Sequence, residues 1–425
     1  MNFNNEYTYK IKIILFDLDN TLVKTDDLEI FRNLEHPLYK NNDNFQQYID
    51  SITKDLGKKD RYIFTPWELN KLKKNGIKIG IVTKSPDPYA YAIITTLYHK
   101  YNLYFDVVVA HEHVTKQKPD GEGIILALNI LVNNYRNDLN NLNGNQVLYI
   151  GDSDTDIQAA YNAGTMIALR LNDDELLLEK KLKHLPEFNI RSFYDLERII
   201  TMPDLFVPFM ESDSQYLKKN TPFFLWFDKY DEQNNRYPFL VAGRYFPQNS
   251  LYSLKRSFHS FSKEIVYQKE STVFSNKWLE ALRLVILKET ACSLIRHLNL
   301  IITCIPRRKT SSPRMESLLK QLAEYLKENS IERDCTIHIV TDLLEYSKNA
   351  VSNHKTAKTK DARFTNVKNN LIIKRKNLIT DDIDKIIVID DVVTTGASLI
   401  IATEKLKQAG AKEIIRFAFA QTVSL

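Results

Sequence analysis

The sequence predicts an α/β protein of two domains, and three observations carry that expectation. The first is length: 425 residues exceed what one ordinary hydrophobic core holds. The second is rhythm. Short β-branched runs alternate with helical patterns in both halves, and a Pro-punctuated stretch separates the two series. The third is placement. Turns rich in acids and hydroxyls follow the apolar runs, where open parallel sheets hold their ligands. The expected division is residues 1–205, a linker over 206–222, and residues 223–425 with a core from about 290 onward.

In the first domain the expected strands are Lys12–Phe16, Ile77–Thr83, Phe105–Ala110, Gln146–Ile150 and Ile167–Leu171. The expected helices are Pro66–Asn75, stopped at Gly76, then Pro88–Tyr101, Gly123–Asn134, Asp154–Gly164 and Ser192–Ile200. This βαβ order implies a parallel sheet covered on both faces, a Rossmann-like arrangement. Residues 24–65 interrupt it as a short, charged insertion.

In the second domain, Phe223–Tyr230 and Tyr237–Phe246 read as aromatic strands of a hairpin around residues 231–235. Its aromatic residues, Trp226 among them, are expected to pack in a core or between domains. Asn276–Leu298 has helical spacing. Strand Leu300–Ile305, helix Met315–Asn329 and strand Thr336–Val340 follow. A long basic loop, strand Lys385–Ile389, helix Ala397–Ala409 and strand Glu413–Ala420 complete the chain.

Composition narrows the class. Hydrophobic content of 44% supports folded cores. The three cysteines, Cys292, Cys304 and Cys335, show no CxxC spacing, which argues against a zinc ribbon or disulfide framework and for a cytoplasmic protein. The polar stretch Met1–Lys10 lacks a signal-peptide run, and no apolar segment is long enough to span a bilayer. Residues 1–205 carry 24 Lys+Arg against 29 Asp+Glu, whereas residues 206–425 carry 34 against 24. The second half is therefore the one that would attract polyanions, a sugar pyrophosphate or nucleic acid.

Four polar signals fall at successive strand ends in the first domain: Asp17 and Asp19, Thr83, Lys118 before Pro119, and Asp152 with Asp156 in Gly151-Asp152-Ser153-Asp154-Thr155-Asp156. Such a set suits phosphoryl transfer through an aspartyl phosphate. One carboxylate attacks phosphorus and a second moves a proton. A hydroxyl and an ammonium hold phosphate oxygens, and further carboxylates hold Mg²⁺. Residues 11–200 resemble the haloacid dehalogenase (HAD) superfamily, with its four motifs in order. The resemblance implies Asp17 as nucleophile and Asp19 as general acid/base. It implies phosphate binding by Thr83 and Lys118. It also implies a Mg²⁺ site from Asp17, the backbone of Asp19, Asp152 and Asp156. It further implies a small helical cap over 24–65 and a small or medium phosphate ester as substrate.

The second domain carries Ile386–Ile389 leading into Asp390 and Asp391, then Thr394-Thr395-Gly396-Ala397-Ser398 opening a helix. Amides and hydroxyls there can hold a phosphate at the positive helix end, and Gly396 admits a close approach. The two acids can bind vicinal ribose hydroxyls and stabilise positive charge on the sugar. The segment resembles the phosphoribosyl-pyrophosphate (PRPP) motif of type I phosphoribosyltransferases. Arg307, Arg308 and Lys309 follow a strand where that fold places its pyrophosphate loop, and Arg314 opens the next helix. With Lys355-Thr356, Arg363 and Asn366-Val367 the order is similar to ComF-like phosphoribosyltransferases over about residues 300–425.

The basic stretch Ser347–Lys376 fits a mobile lid, a nucleic-acid patch or a solvated loop. His111 and His113 flank Glu112 and read as solvent-facing residues rather than metal ligands. The combined expectation is a bifunctional cytoplasmic enzyme of nucleotide metabolism, Mg²⁺-dependent phosphatase joined to phosphoribosyltransferase, with an oligomer compatible with it. The alternative is a phosphatase regulated by a nucleotide- or nucleic-acid-binding module, in stress or phage defence.

Overall fold

The computed structural model describes residues 11–36, 39, 44–172, 182, 184–203, 206–212, 224–248, 252–268, 271–291, 296–307, 312–347 and 359–423. The chain divides into two compact units. The first comprises Met1–Phe206 and Gln248–Phe258, and the second comprises Val207–Pro247 and His259–Ser424. Among the described residues, no helix is long and apolar enough to cross a membrane.

The first unit is built on a six-stranded, wholly parallel sheet. Its strands are β1 (Ile13–Phe16), β2 (Lys78–Val82), β3 (Val107–Val109), β4 (Val147–Gly151), β5 (Met166–Arg170) and β6 (Phe188–Ile190). The order is β3-β2-β1-β4-β5-β6, so the winding reverses between β1 and β4, where a ligand crevice opens at the strands' carboxyl ends. β1 is buried at every position, as a strand covered on both faces requires. The helices are α1 (Phe45–Leu56), α2 (Pro66–Lys74), α3 (Asp87–Leu97), α4 (Glu122–Asn134), α5 (Asp154–Asn162) and α6 (Phe193–Thr201). Local chemistry explains several starts. Thr65 and Glu68 form a reciprocal capping box before Pro66, and Ser153/Asp156 and Ser192/Asp195 repeat that device. The insertion over residues 24–65 contributes a short helical turn, Asp26–Arg32, and α1, which buries Tyr48, Ile52 and Leu56.

The second unit carries a seven-stranded sheet. Its strands are β7 (Leu225–Tyr230), β8 (Arg236–Val241), β9 (Arg244–Tyr245), β10 (Leu298–Cys304), β11 (Cys335–Ile339), β14 (Lys385–Val393) and β15 (Glu413–Thr422). The order β11-β10-β14-β15-β8-β7 is parallel from β11 to β8, with β7 antiparallel at the edge and β9 pairing β15. β12 (Leu344–Tyr346) and β13 (Leu371–Ile373) form a separate antiparallel pair. The helices are α7 (Ser253–Phe258), which belongs to the first unit, then α8 (Ser260–Gln268), α9 (Asn276–Glu289), α10 (Arg314–Glu328), α11 (Lys360–Asn370) and α12 (Ala397–Gln408). Trp278, Phe417, Phe419 and Ile389 meet in its core.

Three expectations change. The aromatic hairpin does form, with Asp231 accepting from the amides of Gln233 and Asn235 at 2.8 and 2.7 Å, but it extends the main sheet through β8 and β15. The basic stretch is not all loop. Thr359 caps α11 by accepting from Ala362 N, and Phe364 and Val367 bury one face of that helix. The helix expected over Asn276–Leu298 ends at Glu289, and Leu298 opens β10 because a parallel partner at Cys335 takes up its backbone.

Candidate functional site

The ends of β1 and β4, the loop after β2 and the loop before α4 bring the predicted residues of the first unit to one cavity. It has a volume of about 700 Å³ and is lined by Asp17, Asp19, Thr83, Lys118, Asp152 and Asp156, with Arg32, Lys84 and Ser85 beside them. Lys118 is the hub. Its Nζ lies 2.5 Å from Asp17 Oδ1, 2.8 Å from Asp156 Oδ1 and 2.9 Å from the Tyr149 hydroxyl. Its side chain is 7% exposed, so these charges meet in a poorly screened setting.

Asp156 is fixed twice. Its Oδ2 accepts from Ser153 N at 3.1 Å and Ser153 Oγ at 2.5 Å, which closes the α5 capping box. The turn must run close beneath it, because a Cβ on Gly151 would sit 2.4 Å from the Asp156 Cβ. Burial works against the Asp156 carboxylate, but Lys118 and the hydrogen bonds from Lys118 and Ser153 outweigh it and hold the group below its usual range. Asp17 goes the other way. Burial pushes its carboxyl up to about 8; Lys118 opposes that rise, while Asp156, Asp19 and Asp152 add to it. One ammonium does not balance this many acids.

A cation does fit them. Asp17, Asp152 and Asp156 each present an oxygen, and these atoms lie within 4.8 Å of one another. Hard oxygen donors on clustered carboxylates suit Mg²⁺. Asp19 stands apart from that cluster. Its Oδ1 accepts from Thr25 Oγ1 at 2.7 Å and Tyr89 OH at 2.8 Å, and its Oδ2 accepts from Ser85 Oγ at 2.5 Å. Arg32, from the inserted segment, comes within 3.8 Å of it. Asn20 next to it takes a left-handed φ of 56°, a conformation asparagine tolerates, which lets the chain turn away after Asp19. Thr83 is buried and its Oγ1 accepts from Ser85 N at 3.1 Å. His111 and His113 lie on a short turn where His113 Nδ1 accepts from Ala110 N, away from the acid cluster.

Thr25, Ser85, Tyr89 and Tyr149 were not singled out in the sequence. Ser85, two residues beyond Thr83, had a readable signal. Tyr89, on α3, and Tyr149, on β4, reach the site only through the packing of their elements.

The second set of predicted residues is arranged differently. β14 continues through Asp390 and Asp391 to Val393 instead of ending at Ile389, because β15 pairs along its whole length. The two carboxyl groups nevertheless stay close enough to interact with each other, and Arg314 acts on both. Asp390 lines a cavity of about 140 Å³ with Arg363, Thr394, Thr395, Gly396, Ala397 and Ser398. Burial, with Asp391 beside it, pushes the Asp390 carboxyl well above the usual range. Asp391 instead forms an ion pair with Arg314 at the start of α10. Gly396 sits at the N-cap of α12 with φ +84°, a conformation that excludes most side chains. Arg307 donates its backbone N–H to Glu316 at 2.9 Å and is not among the residues around this cavity. Arg308, Lys309 and residues 355–358 lie outside the described residues.

Residues 28–169 match the family described as haloacid dehalogenase-like hydrolase. Pyrophosphatase PpaX from Bacillus thuringiensis (strain Al Hakam) is 30% identical over 190 residues, 37% of this chain and 82% of its own length. Phosphoglycolate phosphatase from Aquifex aeolicus (strain VF5) is 28% identical over 196 residues, 38% of this chain and 85% of its own. Among solved structures, CbbY from Rhodobacter sphaeroides in complex with phosphate is similar over 44% of this chain and 96% of its own, at 18% identity and a TM-score of 0.32.

Proposed function

The N-terminal half of this chain belongs to the haloacid dehalogenase-like hydrolases, and on that premise we propose that its first unit is a Mg²⁺-dependent phosphatase working through an aspartyl phosphate. The observation that carries this reading is the meeting of Asp17, Lys118, Asp152 and Asp156 in one cavity. Asp17 Oδ attacks phosphorus as the ester P–O bond breaks, and the departing oxygen takes a proton from Asp19. Asp19 then removes a proton from water. That water attacks phosphorus, the bond to Asp17 breaks, and orthophosphate leaves with both carboxyl groups restored. Thr83 and Lys118 hold the phosphate oxygens. Asp17, Asp152, Asp156 and the Asp19 backbone would hold Mg²⁺, which supplies positive charge between the anionic nucleophile and the anionic phosphate.

The hydroxyls of Thr25, Ser85 and Tyr89 fix the Asp19 carboxylate for its proton transfers. Arg32 and Lys84 at the cavity wall favour a small, strongly anionic substrate. The activities in the relatives' names, pyrophosphatase and phosphoglycolate phosphatase, agree with that. The test is a phosphate-release screen over diphosphate, sugar phosphates and nucleotides with wild type and Asp17→Asn. Full activity in Asp17→Asn on every ester hydrolysed would end the nucleophile assignment.

For the second unit we infer a ligand bearing phosphorylated ribose, as in a phosphoribosyltransferase acting on PRPP. Its support is the cavity that joins Asp390 and Arg363 to the amides and hydroxyls of Thr394–Ser398. With a phosphatase in the same chain, the product's 5′-phosphate is the group the first unit would remove, which makes the protein bifunctional. Calorimetry with phosphoribosyl pyrophosphate decides the point: heat in wild type and its loss in Asp390→Asn are expected. The second reading is a regulatory module that binds nucleic acid through the basic second half. A salt-dependent gel shift indifferent to phosphoribosyl pyrophosphate would favour it.

A further inference from the structure

The candidate phosphatase unit is not contiguous in sequence. After Pro247 the chain leaves the second unit, contributes Gln248–Phe258 to the first, and returns at His259. The inserted helix, α7, is seated closely. A Cβ on Gly164, whose φ is +75°, would lie 3.0 Å from Leu254 Cβ, and a Cβ on Gly144 would lie 3.0 Å from the Phe258 ring. Lys255 is 2% exposed, pairs with buried Glu187 at 2.6 Å and donates to the Thr165 carbonyl at 2.9 Å. Glu187 also accepts from Ile167 N at 3.0 Å, which ties the pair to β5. A buried ion pair is costly to break once one partner is removed, so this segment is firmly anchored.

Beside that anchor runs a chain of three side chains. Tyr252 is fully buried, its ring edge against Tyr161 of α5 at 5.6 Å, and its hydroxyl lies 3.1 Å from His184 Nε2. On its other side, His184 Nδ1 lies 3.1 Å from Asp154 Oδ2, and the His184 backbone N–H donates to Asp154 Oδ1 at 3.0 Å. Asp154 opens α5 and sits between Asp152 and Asp156. A tautomer with the proton on Nδ1 lets His184 donate to Asp154 while Nε2 accepts from Tyr252, so the chain is satisfied end to end.

We propose that residues 252–258 form a strap that completes the phosphatase unit, and that Tyr252, acting through His184 and Asp154, is a positioning residue for the Asp152–Asp156 turn. The inference rests on the metal-binding role proposed for that turn. Carboxylates that share a cation must be held to within about 0.5 Å, and groups that hold them are felt as metal affinity. The strap supplies this support from sequence beyond residues 28–169, the part that matches the hydrolase family. Within the second unit, the chain before and after the strap is joined: Phe246 N donates to Ser262 Oγ at 2.9 Å, and the Phe246 and His259 rings meet edge to face.

The experiment is a Mn²⁺ titration of the full chain followed by electron paramagnetic resonance, with hydrogen exchange on the same samples. Tyr252→Phe should raise the Mn²⁺ dissociation constant roughly tenfold, the lower end for outer-shell partners of a metal site. It should also quicken exchange at amides 153–158 while the melting curve stays that of a folded protein. His184→Gln, run in parallel, should weaken binding by the same factor and serves if Tyr252→Phe does not fold. Asp17→Asn should abolish binding. Wild type that binds no Mn²⁺ would overturn both the metal site and the strap. Binding that Asp17→Asn abolishes but that Tyr252→Phe and His184→Gln leave at the wild-type constant would overturn the strap alone.

Discussion

The first unit gathers acids from the ends of separate parallel strands, whereas the second carries two adjacent acids within one strand, β14. In the first unit Asp17 lies far in sequence from Asp152 and Asp156, yet the three meet in one cavity, with Asp17 and Asp156 both on Lys118. In the second, Asp390 and Asp391 are neighbours in sequence and interact with each other; Asp390 lines the cavity beside α12 and Asp391 pairs with Arg314. The physical reason is the pleat. Adjacent residues in a strand alternate in direction, so Asp390 and Asp391 take different partners beyond each other, whereas the ends of neighbouring parallel strands point to a common crevice. Repeated placement at strand ends thus marks a site assembled from segments distant in sequence.

The largest expected effect tests the converging set. Asp17→Asn should lower phosphate release by about four orders of magnitude or more, as loss of a covalent nucleophile does. Lys118→Met comes next. It removes the proposed phosphate ligand and should cost about 10²–10³ in kcat. It also leaves buried Asp17 and Asp156 without their cation, so chemical denaturation should show a loss of about 3–5 kcal/mol for the first unit. A Lys118→Met protein as stable as wild type would show that the acids do not depend on that ammonium.

A third prediction contrasts the charge balance. In the first unit several acids crowd around Lys118, but in the second unit the single carboxylate of Glu211 faces both Arg244 and His259, with all three side chains buried. Burial works against the Glu211 carboxylate, and the two partners outweigh it and hold it far below the usual range. A depressed carboxylate adds stability above its unfolded pKa of about 4.3, and that stability is lost as pH falls through the lower folded value. Glu211→Gln should therefore flatten the acid limb of the second unit's unfolding below about pH 4. Arg244→Met, which strands Glu211, should destabilise that unit by about 3–5 kcal/mol at neutral pH.

The smallest effect concerns Asp390. Burial and Asp391 raise its carboxyl, so ionisation at neutral pH works against folding, and the contribution grows more favourable as pH falls. Asp390→Asn should raise the melting temperature at pH 7 by roughly 2–4 °C, the shift that about 1 kcal/mol produces in a domain of this size. A fall instead would mean that the ionised form is held by a partner on the cavity side.

Much of this was legible in the sequence because it depends on local chemistry. The β-branched runs at Ile13–Phe16 and Val147–Ile150 become buried parallel strands, and Ser153 with Asp156 marks the start of α5. Asp17, Asp19, Thr83, Lys118, Asp152 and Asp156 were readable as a group, since each follows a strand. Tyr89, Tyr149 and His184 were not. Tyr89 and Tyr149 reach the site, and His184 reaches Asp154, from other elements, and nothing in their neighbours points there. The course of β14 past Asp390 was hidden for the same reason, because a partner strand more than twenty residues later sets its length.

The sequence by itself determined which chemistry the strand ends carry, since backbone alternation and capping act within a few residues of the groups they place. The tertiary structure decided which acids share a cavity, which partners Asp390 and Asp391 take, and that Gln248–Phe258 belongs with the first unit. Those outcomes follow from contacts between distant segments, where complementary packing and the pairing of buried charges such as Lys255 with Glu187 select one arrangement.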